Sequence, residues 1–116
     1  MPPICCPDEG TPPLDDEQLA AMAKALGHPA RVAILRSFAE CRAHSAGEVV
    51  AGLPLAQSTV SEHLRILREA GLLSATEDPP RVWYCVRHSA LARLAEAVAG
   101  LGHARSRHTS ETAASA

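Results

Sequence analysis

The stretch "QSTVSEHLRILREAGLL", residues 57–73, decides the fold. Its Val60, Leu64 and Leu67 recur at helical spacing and gather on one side of a helical wheel. Ser58, Ser61, Glu62, Arg65, Arg68 and Glu69 fall on the other side, within about a third of the circle. Gly71 is placed to close the helix, since glycine adopts the left-handed conformation at a helix end without steric cost. One face is therefore core. The opposite face is polar, and it is either simply solvated or presented to a partner.

The flanking segments decide between those two readings. Upstream, Ser45 offers a cap for a short helix, "AGEVVAGL", closed by Gly52 and a turn at Pro54. Downstream, "LLSAT", "EDPP" and "RVWYCV" predict two short strands joined by a turn, the second rich in β-formers. Further upstream, Asp15 and Asp16 cap a first helix carrying Leu19, Met22, Ala23 and Leu26 and ending near Gly27. Pro29 opens a second, "PARVAILRSFAEC", with Val32, Leu35, Phe38 and Ala39 as its apolar stripe and Cys41 at its end. After the hairpin, "HSALARLAEAVAGL" restores helical spacing through Leu91, Leu94, Ala95, Val98 and Leu101.

A short helix, a tight turn, a polar-faced helix and then a hairpin is the layout of a winged helix-turn-helix. The expected fold class is mainly α, with about five helices and a small two-stranded β-hairpin as the wing. Residues 15–102 form the expected folded domain. Residues 1–14 hold five prolines and read as an extended, flexible arm, and residues 103–116, small and polar, read as a disordered tail.

With 116 residues the chain has room for one core. Only 3% of its residues are aromatic, so that core is built from Ala, Leu and Val. No apolar run reaches the roughly 18 residues needed to span a bilayer, and the N-terminus lacks a signal-peptide layout. The expectation is a cytoplasmic protein with reduced thiols and no membrane partner. The formal net charge of −2 is unevenly placed. Residues 1–20 carry five acids and no Lys or Arg, whereas residues 21–116 carry eleven bases and eight acids. The body is only mildly basic, so an inference of DNA binding must rest on a motif and not on charge.

That motif is present. "ALGHPARVAILRSF", "QSTVSEHLRILREAGLL" and "RVWYCV" together resemble the ArsR/SmtB family of metal-sensing repressors, over about residues 18 to 101. The resemblance implies a homodimer, joined mainly through the first and last helices, that binds a two-fold operator in double-stranded DNA and blocks transcription. It also implies that the second helix of the pair enters the major groove while the hairpin lies beside the backbone. Gln57, Ser58, Thr59 and Ser61 then stand at the start of the recognition helix, where side chains reach base edges and phosphates. Arg65, one turn on, can serve a phosphate or a guanine. His63 is either a DNA contact, as the family motif has it, or a hydrogen-bonded structural histidine, as its place on the wheel favours. Arg81 is the expected wing residue for a phosphate.

The four cysteines bear on what such a repressor would sense. Thiolates are soft ligands that select soft or thiophilic ions. Two metal sites known in the family are absent: "SAGEVVAGL" lacks the CxC of many of its arsenic sensors, and His88, His103 and His108 do not reproduce its zinc pattern in the last helix. Cys5, Cys6 and Cys41 remain. They resemble the subgroup of arsenic repressors that combines a vicinal N-terminal pair with a third cysteine after the second helix. Three thiolates suit As(III) or Sb(III), which form three bonds in a pyramid, whereas tetrahedral zinc or cadmium takes a fourth donor.

Adjacent cysteines bridge each other poorly, because neighbouring Cα atoms lie about 3.8 Å apart and disulfides usually require at least ~4.4 Å. Ten residues separate Cys6 from Asp16, so an extended arm spans up to about 33 Å, enough to reach Cys41 of either subunit; the resemblance favours the partner's. Cys85, inside the second strand, reads as a structural or incidental thiol. Other readings stay open at this level. The ligand can be cadmium, lead or zinc, or oxidation can pair Cys41 with an arm thiol. From other classes, the chain can be a small thiol enzyme or a winged-helix module that binds protein. The enzyme reading lacks a CxxC at a helix N-terminus to activate a thiol, and no enzymatic activity is expected.

Overall fold

The computed structural model describes residues 8, 10–38 and 43–115, with side chains as far as residue 103. Cys5, Cys6 and Cys41 lie outside the described residues. The chain runs α1 (Asp16–Leu26), α2 (Pro29–Ser37), β1 (His44–Ser45), α3 (Ala46–Ala51), α4 (Gln57–Glu69), β2 (Leu73–Asp78), β3 (Arg81–Val86) and α5 (His88–Ser115).

Local chemistry sets the helix ends. Asp15 and Gln18 form a reciprocal capping box at α1, with Gln18 N–H donating to Asp15 Oδ1 at 2.8 Å and Asp15 N–H to Gln18 Oε1 at 3.0 Å. His28 caps α2 by accepting from Ala30 N–H at Nδ1, and Pro29 occupies the first turn, where its missing N–H costs nothing. At the end of α4, Gly71 takes a positive φ of 86°, Leu72 N–H donates to Leu67 and Gly71 N–H to Arg68. These two bonds satisfy orphan carbonyls of the last turn and aim the chain into β2.

The core forms around α4. Val60, Leu64 and Leu67 are fully buried, together with Ile34 of α2 and Leu72 and Leu73 at the entry to β2. Burying each such side chain contributes about 1.5–3 kcal/mol, so α4's inner face alone contributes roughly 5–9 kcal/mol before conformational entropy is opposed to it. Met22 and Ala25 of α1, Phe38, Val49 of α3, and Ala90 and Leu94 of α5 complete the cluster. The sheet is antiparallel in the order β1-β3-β2, with His44 opposite Tyr84 and Leu73 opposite Val86. Ala43, Trp83 and Cys85 form a second, small cluster, so Cys85 is a buried structural thiol.

The fold is the expected winged helix-turn-helix, with five particulars that differ from the sequence reading. First, α2 ends at Ser37 and not at Cys41; Phe38 leaves the helix at ψ 78° to plug the core. The buried residue of its stripe is Ile34, with Val32 and Leu35 only half-buried. Second, the wing strands run through Asp78 and restart at Arg81, leaving only Pro79 and Pro80 as the turn, because Glu77 and Asp78 stay in register with Val82 and Arg81. Third, β1 adds a strand of two residues, too short to leave a periodic signature. Fourth, α5 runs to Ser115, beyond Leu101, where the apolar periodicity ends; residues 102–115 contain no proline and several good helix formers.

The fifth concerns the arm. Thr11 is half-buried and joined to α5, its hydroxyl 2.8 Å from Ser89 Oγ. Arg87 donates to the same hydroxyl at 3.3 Å, and Arg93 Nε donates to the Thr11 carbonyl. The described end of the arm is thus fastened to the body instead of extending freely.

Candidate nucleic-acid interface

The outward face of α4 carries Gln57, Ser58, Thr59, Ser61, Glu62, Arg65, Arg68 and Glu69, all exposed. Gln57, Ser58 and Thr59 occupy the first turn, where Ala56 at the N-cap provides no side-chain hydrogen bond. The first-turn N–H groups therefore point outward beside three polar side chains, an arrangement suited to an anion. Arg81 sits exposed at the wing tip, its guanidinium carbon 5.9 Å from the centroid of the Trp83 ring. It is attached to the sheet through that ring while its polar edge stays in water.

Arg65 is not isolated. Its Nε donates to Glu62 Oε2 at 3.0 Å, its Nη2 donates to the other Glu62 oxygen, and its Nη1 donates to Glu69 Oε2 at 2.7 Å. The pairing follows from spacing, since Glu62 precedes Arg65 by three residues and Glu69 follows it by four. The hydrogen bond from Arg65 holds the Glu62 carboxyl below its ordinary range, and the two carboxylates raise Arg65 further above its own.

His63 differs in its surroundings from the exposed residues of the expected DNA set. It is buried at 8% exposure and faces α1 and α2, where Arg31 Nε donates to its Nδ1 at 3.2 Å. The same guanidinium donates to the carbonyls of Lys24 and Ala25, closing the last turn of α1. The His28 ring lies 4.7 Å away, centroid to centroid. Burial, then the neighbouring charges of His28 and Arg31, hold His63 below its ordinary pKa, so it is a neutral acceptor tying three helices together.

The other contacts missed by sequence reading surround the arm. Asp8 accepts from Ser89 N–H at 2.7 Å and from Ser89 Oγ at 2.6 Å, and it also accepts from Gly10 N–H. Hydrogen bonds from Ser89 and then Gly10 lower its pKa to about 2. Ser89 is the second residue of α5, so Asp8 caps that helix from a distant part of the chain. No local signal announces a cap supplied from so far away. On β1, His44 is buried, its Nδ1 3.2 Å from Glu48 Oε2 of α3 and its ring edge-on to Phe38. Its Nε2 has no hydrogen-bond partner among the described residues.

Among the described residues no group of three or more His, Cys, Asp or Glu side chains stands together as a metal site, and no helix is long and apolar enough to cross a membrane. Comparison with known proteins bears on the same face. Residues 28–75, which include all of α4, match the bacterial regulatory protein, arsR family. The chain is 36% identical over 75 residues to the HTH-type transcriptional regulator YgaV of Escherichia coli, covering 65% of this chain and 76% of that one. It is 35% identical over 81 residues to the biofilm growth-associated repressor of Agrobacterium fabrum, covering 70% and 68%.

In three dimensions it resembles an ArsR-like transcriptional regulator from Rhodococcus sp. RHA1 with a TM-score of 0.74, at 22% identity over 83% of this chain and 90% of that one. It also resembles a homodimeric winged helix-turn-helix DNA-binding domain from Mycobacterium bovis with a TM-score of 0.60, at 24% identity over 75% and 82%. The chain belongs to the arsR family of bacterial regulatory proteins and is a DNA-binding transcriptional regulator, not an enzyme.

Proposed function

We propose that this regulator is a homodimeric repressor that holds operator DNA when free of inducer and releases it when As(III), or Sb(III), binds Cys5, Cys6 and Cys41. Gln57, Ser58, Thr59, Ser61 and Arg65 on α4, with Arg81 on the wing, contact the operator; His63 serves them from beneath by fixing α4 on α1 and α2. The observation that carries the reading is the division of the thiols. Cys85 is 3% exposed and packed against Trp83, which leaves the arm pair and Cys41 as the candidate ligand set. In a reducing cytoplasm these three are thiols that become thiolates on binding a soft ion.

Homodimerisation is supported by α5. Val98 and Leu101 are 52% and 63% exposed on a helix whose Leu94 is buried, and an apolar stripe left open in this way calls for a partner surface. The anchoring of Asp8 supports a route from inducer to DNA. Two residues of chain join Asp8 to Cys6, at most about 7 Å, so a load placed on the thiol pair is transmitted to the first turn of α5. If α5 carries the dimer contact, arsenite binding re-sets the separation of the two α4 helices and spoils their match to the half-sites. DNA and inducer then oppose each other reciprocally, by about 1–3 kcal/mol.

One observation favours a second reading. The unpartnered Nε2 of buried His44 lies three residues after Cys41, and a fourth donor there would suit a tetrahedral ion such as cadmium or zinc. Titrations followed by thiolate charge-transfer absorption separate the two. One equivalent of arsenite per subunit, lost in each of Cys5→Ser, Cys6→Ser and Cys41→Ser and unaffected in His44→Gln, is the expected result. Tighter binding of cadmium than of arsenite, weakened by His44→Gln, would replace the first reading by the second.

A further inference from the structure

Arg65 is held on both sides by acids on the exposed face of the DNA-reading helix. Exposed ion pairs of this kind follow from helical spacing and contribute little to stability, so their larger consequence is for what Arg65 can bind. Its consequence for DNA can be worked out from hydrogen-bond supply and charge. A guanidinium has five N–H donors. Three of those in Arg65 are engaged: Nε and one from Nη2 by Glu62, and one from Nη1 by Glu69. One N–H is left on each of the two Nη atoms. Where Glu69 takes the Nη1 hydrogen that points away from Nη2, these two donors form the fork that matches O6 and N7 of guanine in the major groove.

Charge points the same way. The two carboxylates offset the guanidinium they hold, and with Arg68 the outward face of α4 is neutral, so Arg65 attracts a phosphate less than a free arginine would, whereas a neutral base edge is unaffected. A side chain already fixed by two partners also loses less rotamer freedom on binding than a free arginine. We infer that Arg65 reads a guanine in the operator's major groove, and that Glu62 and Glu69 are positioning residues that pre-orient it and keep it off the DNA backbone. The cluster thus adds discrimination at one G·C pair and subtracts from non-specific binding. Backbone contacts are left to the first turn of α4 and to Arg81. The inference rests on α4 of this chain being its recognition helix.

The test measures full-length protein binding its own upstream DNA, single-base variants of that DNA and random duplex, across a range of salt. Circular dichroism checks that each variant is folded. Arg65→Lys and Arg65→Ala are expected to lose about tenfold or more discrimination at one G·C position while the slope of log affinity against log salt stays unchanged. Glu62→Gln with Glu69→Gln is expected to tighten random-duplex binding, steepen that slope by up to about 1 as Arg65 gains a phosphate, and reduce discrimination at the same position. If Arg65→Ala weakens all sequences equally and flattens the slope by about 1, Arg65 is a phosphate contact and the inference fails. It also fails if the paired Gln variant leaves random binding and discrimination unchanged. Ser58→Ala and Thr59→Ala separate the two levels. If they weaken binding while Arg65 variants do not, only the Arg65 inference falls; if no α4 variant alters binding, the assignment of the recognition helix falls with it.

Discussion

Asp8 and Ser89 stand 81 positions apart in sequence and share two hydrogen bonds, one from the Ser89 amide and one from its hydroxyl. This contact places the base of the cysteine-bearing arm on the first turn of α5. Asp8→Ala is expected to speed hydrogen exchange at the Ser89 amide and to raise the arsenite concentration needed for DNA release by about three- to tenfold, since a released arm lowers the local concentration of its thiols. The sign of the pH effect follows from the pKa of about 2. A carboxylate lowered on folding contributes above its unfolded value of 3.8 and loses that contribution as pH falls through 2. Ser89 amide protection therefore persists through mild acid and disappears near pH 2, and in Asp8→Ala this step is missing. An Asp8→Ala variant with unchanged arsenite response would detach the latch from induction.

His63 gives a pH effect in a higher range. Its folded form favours the neutral ring, so the unfolded chain binds more protons between the lowered folded pKa and the unfolded value of 6.5. Its stabilising contribution is complete above pH 6.5 and is lost as pH falls below it. Denaturant unfolding between pH 8 and 5 should show a decline that is shallower in His63→Gln. His63→Ala, which strands the Arg31 Nε donor, is expected to cost about 1–3 kcal/mol. Operator affinity in His63→Gln should stay near wild type at neutral pH; a loss as large as that of Arg65→Ala would return His63 to the DNA set.

Cys85 is predicted to be chemically silent. A thiol-specific reagent should modify three cysteines rapidly in the native protein and the fourth only in denaturant, and Cys85→Ala should retain full arsenite response at a cost of about 1 kcal/mol from the small void it leaves beside Trp83. Loss of response in Cys85→Ala, with the fold intact, would contradict the division of the thiols.

Val98 and Leu101 supply the prediction for assembly. Val98→Glu with Leu101→Glu places two charges on the exposed stripe of α5, where a buried unpaired charge is strongly unfavourable. Sedimentation should show a monomer, and operator affinity should fall at least tenfold as two-fold binding is lost. A dimer that survives both substitutions would move the interface elsewhere.

The features legible in the sequence were those that depend on local repetition. The apolar face of α4 was readable because Val60, Leu64 and Leu67 recur at fixed spacing, and its end because Gly71 is needed at positive φ. The wing was readable from the β-formers of "RVWYCV". What escaped depends on distant parts of the chain or on competition. The cap of α5 by Asp8 comes from the other end of the molecule. The halt of α2 at Ser37 reflects tertiary packing, since Phe38 leaves the helix for the core. Glu62 and Glu69 were visible on the polar arc, yet only the geometry of Arg65 shows that they occupy its donors. His63 was readable in two ways, because its burial depends on how Arg31 and His28 pack beside it.

Operator release tests the account most directly. Binding to the protein's own upstream DNA is measured with and without arsenite, for wild type and for the triple variant Cys5→Ser, Cys6→Ser, Cys41→Ser. The account predicts that both proteins bind DNA equally without arsenite, that arsenite lowers wild-type affinity by roughly 5- to 150-fold, and that it leaves the triple variant bound. Release of the triple variant by arsenite would contradict it.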